Sequence, residues 1–349
     1  MNLLTLLGLA GAGLLAYYRG KKKKKPRQLT TRSATTFMPS AYATETSEDT
    51  FVTKVSLPGQ PYLFRLGVGG FDREFLVHVP KNYTGNTPVP LVFGFHGAGG
   101  SGTSFYKKSK WPEVGEANGF ISVYPSALRT CMTGKDARGK DQGTGPKWIT
   151  PSKASEICAG HPAQDDVEFV RRMLQEVQGR FNIDSNRIYA SGFSNGMGFV
   201  IQGILKDLSD TFAAVGGVGS NLKAPLQLKG RPIPTALFIG SIDPYFTPTA
   251  GGPLPTTVPA YKSSNFIRST AGYFTSTLGL PSKGADSSDP TPGGGRIVVG
   301  QYQGGGREFL YGVMKGLDHV WPNGSPESKG ITIAPILWDF FQDTPYKGA

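Results

Sequence analysis

Arg187-Ile188-Tyr189-Ala190-Ser191-Gly192-Phe193-Ser194-Asn195-Gly196-Met197-Gly198 runs from a strand-like segment, through a G-x-S-x-G pattern at 192–196, into a stretch with helical character. Small residues two before and two after the serine let the backbone fold tightly enough to expose its hydroxyl on a strained strand-to-helix turn. Ser194 is therefore the candidate nucleophile. The competing reading, an ordinary serine in a glycine-rich turn, leaves the strand before it and the helix after it unexplained.

Working outward, Pro90 to Phe95, Phe120 to Tyr124, Ala213 to Val218 and Thr235 to Ile239 are short, nearly continuous apolar runs. Such runs suit strands buried on both faces. Phe64 to Val68 and Glu74 to Val79 read as a strand pair joined through Gly69-Gly70. Between the runs lie helical patterns at Asp165 to Val177, Asn195 to Leu205 and Ile331 to Phe341. In the first of these, Val167, Phe169, Val170, Met173, Leu174 and Val177 share one face. Alternating strands and helices predict an α/β domain with a mostly parallel central sheet covered by helices on both faces. A single catalytic domain is expected over residues 51–349.

A serine hydroxyl needs a base to take its proton, and the base needs an acid to fix its tautomer. In an α/β-hydrolase these follow in the order serine, acid, histidine. His319 is the sole histidine after Ser194, since His78, His96 and His161 precede it. Asp243 follows the apolar run Ala236 to Ile239 and so falls on a loop at a strand's C-terminal end, where ligand chemistry gathers in open α/β sheets. Asp318 competes for the role, but adjacent side chains seldom orient one another. An oxyanion hole takes backbone N–H groups from the residue after the nucleophile, Asn195, and from a loop after an early strand. The segment His96-Gly97-Ala98-Gly99-Gly100 offers Gly97 and Ala98 for the second donor. No Lys-Ser/Thr pair follows these glycines, so a phosphate-binding loop is disfavoured.

Four strings, FHGAGG at 95–100, DDVEFVRRM at 165–173, YASGFSNGMG at 189–198 and DHVWP at 318–322, occur in an order that resembles the polyhydroxybutyrate depolymerase and feruloyl or acetylxylan esterase group, over about residues 62–342. The resemblance implies a serine carboxylic-ester hydrolase with Ser194, Asp243 and His319 as its triad. It also implies polyester or plant-wall feruloyl and acetyl esters as substrates, and neither metal nor organic cofactor. The chain departs from the group at Met197, Ile239 and Asp318, where relatives usually carry Gly, His and Gly. These departures touch the lining of the pocket and leave the reacting groups intact. His96, Phe193, Trp148, Tyr245, Phe246 and Trp321 are expected near the mouth, where they would receive an aromatic acyl group or a polymer. A peptidase or acyltransferase of the same fold would use the same triad. A non-catalytic, membrane-tethered binding protein is the alternative outside enzymes.

The net charge of +12 invites a nucleic-acid partner, but eight Lys or Arg and no acid lie within residues 1–32, which leaves +4 for the rest of the chain. With no basic-aromatic interleaving elsewhere, nucleic-acid binding is not expected. Residues 3–18 form an uncharged apolar run, followed by Arg19 and Lys21 to Lys25. The run is short against the roughly 20 residues of a bilayer span, and its positive charges follow it, whereas those of a signal peptide precede the apolar core. Residues 1–25 are accordingly expected to contact the membrane as an anchor or signal-like segment, with 26–50 as a flexible linker. The catalytic domain is expected to be extracytoplasmic, either tethered or secreted. Cys131 and Cys158 would pair in an exported protein. They bound a polar, glycine-rich segment expected to lie over the site, and no zinc signature is present.

Overall fold

A computed structural model describes residues 50–52, 60–136, 138–161, 164–282 and 295–344. The N-terminal segment 1–25 and the linker, apart from Thr50, lie outside the described residues. Among those described, no helix is long and apolar enough to cross a membrane.

Twelve strands form along the chain: β1 (Thr50–Val52), β2 (Tyr62–Val68), β3 (Phe71–His78), β4 (Val89–Phe95), β5 (Ile121–Pro125), β6 (Arg129–Lys135), β7 (Asp141–Pro146), β8 (Ile183–Phe193), β9 (Ala214–Val218), β10 (Thr235–Gly240), β11 (Ile297–Gly304) and β12 (Arg307–Met314). Ten of them make one sheet in the order β1-β2-β3-β5-β4-β8-β9-β10-β12-β11, while β6 and β7 pair separately. The run from β5 to β12 is parallel, and β1, β2, β3 and β11 join it antiparallel. This is the α/β-hydrolase architecture, in a single domain.

The central strands are apolar throughout because successive side chains enter opposite cores. Phe93, Ala190, Val215 and Leu237 belong to one core, which the helices Asp166–Arg180 and Asn265–Leu278 cover. Their neighbours Val92, Tyr189, Ala214 and Ala236 belong to the other, under the helices Gly102–Lys108, Trp111–Asn118 and Ile333–Gln342.

Two expected elements differ most in extent. β8 begins at Ile183, earlier than Arg187, because the polar stretch Asp184 to Asn186 lies at its exposed end and hides the strand pattern. The helix after Ser194 is α-helical only over Asn195–Phe199 and then widens into a π-turn over Val200–Leu205. A Cβ on Gly203 would sit 2.7 Å from the Phe199 ring, so the bare glycine is what lets that turn close.

Candidate active site

The turn at Ser194 is built from close backbone approach. Ser194 has φ 53° and ψ −120°, one of three non-glycine residues with positive φ among those described. Such a conformation costs about 1–3 kcal/mol and persists only where its surroundings impose it. Here they do: a Cβ on Gly192 would meet the Gly196 carbonyl at 2.7 Å, and one on Gly196 would meet the Phe95 and His96 carbonyl oxygens at 2.4 Å. Both glycines of the pattern are thus fixed by packing against backbone. The Ser194 N–H donates to the Val218 carbonyl at 2.8 Å, pinning the turn between β8 and β9.

The loops that carry Asp243 and His319 are woven together beyond the ends of β10 and β12. Ile242 N–H donates to the Leu317 carbonyl, and Gly316 N–H donates to Ser241 Oγ. A Cβ on Gly240 would lie 2.2 Å from the Leu317 carbonyl oxygen. In this frame Asp243, 1% exposed, accepts the Tyr245 N–H on Oδ1 and the His319 Nδ1–H on Oδ2, at 2.9 and 2.7 Å. His319 Nε2 then accepts from Ser194 Oγ at 2.7 Å. Ser194, His319 and Asp243 are therefore brought into one hydrogen-bonded line. Asp318 is exposed and turns Oδ1 onto the backbone N–H of His319, away from the ring. Gly219, with φ +78°, leaves the imidazole room, since a Cβ there would sit 3.0 Å from His319 Cε1.

Asn195 opens the helix after the elbow, where the first N–H groups have no acceptor within the helix. Gly97 lies against Ser194, its notional Cβ 3.3 Å from Ser194 Cβ, and Ala98 beside it is exposed. The N–H groups of Gly99 and Gly100 are taken by the Pro146 and Gly97 carbonyls. The N–H groups of Gly97 and Ala98 have no such partner among the described residues.

Of the residues expected at the mouth, Phe193 and Tyr245 are half-buried, with ring centroids 5.0 and 4.2 Å from that of His319. The other four are buried, with polar atoms or rings engaged by neighbouring residues. Trp148, 1% exposed, donates its indole N–H to the His96 carbonyl and stacks on Phe199. Trp321 donates to the Ser109 carbonyl and packs on Phe105, behind Phe193. Phe246 is buried beside Phe266. His96 accepts the Ala127 N–H on Nε2 and donates from Nδ1 to the Gly97 carbonyl, so it holds the glycine loop from beneath. Burial pushes its pKa down to about 4, partly offset by the Gly97 bond.

The segment between Cys131 and Cys158 is a hairpin, β6 with β7, followed by a short 3₁₀ helix over Pro151–Glu156 and closed by a disulfide between the two cysteines. At its tip Arg138 lies over the Tyr245 ring at 4.5 Å, and Asp136 accepts from the Tyr245 hydroxyl at 3.3 Å. Sequence reasoning placed this segment over the site but did not single out Arg138 or Asp136, which carry no motif. Among the described residues no cluster of His, Cys, Asp and Glu could hold a metal ion.

No family model matches the chain. It is 28% identical over 176 residues to feruloyl esterase B of Piromyces equi, which covers 49% of this chain and 29% of that protein. It is 24% identical over 281 residues to feruloyl esterase D of Neurospora crassa, covering 78% and 83% of the two chains. The chain thus spans less than a third of the length of the first of these relatives. In structure it superposes on an S-formylglutathione hydrolase from Agrobacterium tumefaciens with a TM-score of 0.50 at 12% identity, covering 85% and 99% of the two chains. That likeness bears on the fold.

Proposed function

We propose that the protein is a serine carboxylic-ester hydrolase that forms an acyl-enzyme on Ser194 and acts on plant-wall feruloyl or acetyl esters. The observation that carries the reading is the unbroken line from Ser194 Oγ through the His319 ring to Asp243, with 2.7 Å at both steps. A carboxylate only accepts, so Asp243 holds the proton on Nδ1 and leaves the Nε2 lone pair facing the serine. Ser194 Oγ attacks the ester carbonyl while its proton passes to Nε2, and Asp243 stabilises the imidazolium so formed. The carbonyl oxygen, now anionic, is held by the N–H of Asn195 and one N–H of the Gly97-Ala98 pair. His319 then protonates the departing alcohol, and a water activated by the same nitrogen releases the acid.

The substrate class is supported by the relatives named feruloyl esterases and by the rings of Phe193 and Tyr245 beside His319, which suit a planar aromatic acyl group. The Cys131–Cys158 disulfide supports an extracytoplasmic body, because such bonds persist in oxidising compartments. Residues 3–18 are assigned to membrane targeting, and residues from about 51 onward to the catalytic domain. The test is turnover of p-nitrophenyl acetate, methyl ferulate, acetylated xylan and a polyhydroxybutyrate film by the purified full chain. The reading expects methyl ferulate or acetylated xylan to be cleaved with the highest kcat/KM. Preferential erosion of the film would assign the polyester instead, and no turnover of any ester would remove the esterase reading.

A further inference from the structure

The two sources of oxyanion donors, the Gly97-Ala98 loop after β4 and Asn195 after β8, belong to separate segments of chain. One short stretch outside both of them, Pro146 to Ile149, bonds to each. Toward the glycine loop, the Pro146 carbonyl accepts the Gly99 N–H at 2.8 Å, and Trp148 Nε1–H donates to the His96 carbonyl at 2.9 Å. Toward the elbow, the Asn195 side chain makes a two-point clamp on the Trp148 backbone, with Oδ1 accepting its N–H at 2.8 Å and Nδ2 donating to its carbonyl at 3.0 Å. The far side of the stretch is anchored. Asp166, fully buried, accepts the Ile149 N–H on Oδ2 at 2.7 Å and pairs through Oδ1 with buried Arg73 at 2.7 Å. Gln164 ties the Lys147 carbonyl to the same carboxylate.

We propose that Trp148 is a positioning residue that sets the separation and aim of the two oxyanion donors, by bridging the His96 carbonyl and the Asn195 side chain. The proposal rests on the reading of Ser194 as nucleophile. An oxyanion hole acts through preorganisation, so a donor displaced by a few tenths of an ångström loses value in the transition state while ground-state binding is largely kept. The side chain of Asn195 thus has a purpose beyond occupying the position after the nucleophile. Asp166 and Arg73, far from Ser194 in sequence, serve the same stretch from behind.

Titration with a p-nitrophenyl alkylphosphonate on the full chain separates positioning from mere stability. Ser194 Oγ bonds to phosphorus, p-nitrophenolate leaves, the serine proton passes to His319, and the phosphoryl oxygen occupies the oxyanion position. The amplitude counts folded sites, and the rate reports their geometry. Trp148→Phe removes the indole donor and keeps a large ring, whereas Asn195→Ala removes the clamp and keeps the Asn195 N–H. Deleting an oxyanion donor outright costs about 10²–10³ in rate, so a displaced donor is expected to cost about tenfold. Both variants should therefore release close to one p-nitrophenol per chain, about tenfold more slowly, with KM for p-nitrophenyl acetate within about twofold of the native value. The double variant should be little slower than the slower single, because both changes break one bridge. Native-like rates in both single variants would overturn the proposal, as would a lowered amplitude whose surviving sites react at the native rate. A native protein that releases no p-nitrophenol would instead overturn the reading of Ser194 on which the proposal rests.

Discussion

Asp243 Oδ2 sits 2.7 Å from His319 Nδ1, while Asp318, the residue next to the histidine in sequence, spends its Oδ1 on the His319 backbone N–H at 2.6 Å. The two aspartates therefore carry different consequences. Asp243→Asn puts an amide against Nδ1 and favours the wrong tautomer, and kcat should fall by roughly 10⁴, as it does for the equivalent change in a serine protease. Asp318→Asn keeps an oxygen for the backbone N–H and should change kcat by no more than about threefold, since exposed polar exchanges cost about 0.5 kcal/mol or less. Steady-state kinetics on both variants checks the assignment, and the opposite ranking would reverse it.

His96 should titrate far below an ordinary histidine. Its ring is buried, and burial holds the folded-state pKa down to about 4 against the Gly97 bond, which raises it; the neutral Nε2 accepts the Ala127 N–H. An unfolded chain takes up this proton near pH 6.5, so the folded state binds fewer protons between those values and its stability falls as the pH drops from 6.5 to 4. The contribution of this group is about 3 kcal/mol, complete above pH 6.5 and lost by pH 4. NMR titration of the imidazoles should show one ring with a midpoint near 4. A midpoint near 6.5 for His96 would contradict the buried, acceptor role.

Tyr245 lies tilted against His319 and is itself held by the hairpin tip through Arg138 and Asp136. Tyr245→Ala should raise KM for p-nitrophenyl ferulate by about three- to tenfold more than KM for p-nitrophenyl acetate, because an aromatic pair contributes about 0.5–1.5 kcal/mol that a methyl group cannot recover. Tyr245→Phe should recover most of that difference. Equal changes in KM for the two esters after Tyr245→Ala would remove Tyr245 from the acyl pocket.

Gly196 faces carbonyl oxygens of Phe95 and His96 where a Cβ would lie 2.4 Å away. Backbone cannot yield as a flexible side chain would, so Gly196→Ala should destabilise the fold by about 2 kcal/mol or more and displace Ser194 from His319. Chemical denaturation together with phosphonate labelling measures both effects. Native stability with full labelling would show that the turn has more room than the structure describes.

The parts of the fold legible in sequence were those whose residue types follow directly from their surroundings. β4, β5, β9 and β10 are buried on both faces and so read as apolar runs, and the glycine pattern around Ser194 is the direct imprint of backbone packed on backbone. The helix Asn265–Leu278 escaped notice because Thr270, Thr275 and Thr277 occupy buried positions and break the apolar period. The hairpin of β11 and β12, which turns at Gly305-Gly306, was missed as well, its first strand ending in the polar stretch Gln301 to Gln303. In the site, chain order singled out His319 and pointed to Asp243, since those follow from the required chemistry. Trp148, Trp321, Phe246 and His96 stand close to the motifs in sequence and are buried in the structure, because an aromatic residue near a motif can face either the cleft or the core behind it. Asp165 and Asp166 show the same limit: adjacent and alike on paper, one caps a helix in the open while the other is buried against Arg73.

The central claim is that Ser194 is the nucleophile of an ester hydrolase, and Ser194→Ala tests it most directly. The hydroxyl contributes little packing at the elbow, so the variant should unfold at the native temperature and denaturant concentration. Its kcat on p-nitrophenyl acetate should fall by about 10⁶, the loss seen when a triad nucleophile is removed from subtilisin. A folded Ser194→Ala protein that keeps more than about a tenth of native turnover, against that expectation, would contradict the account.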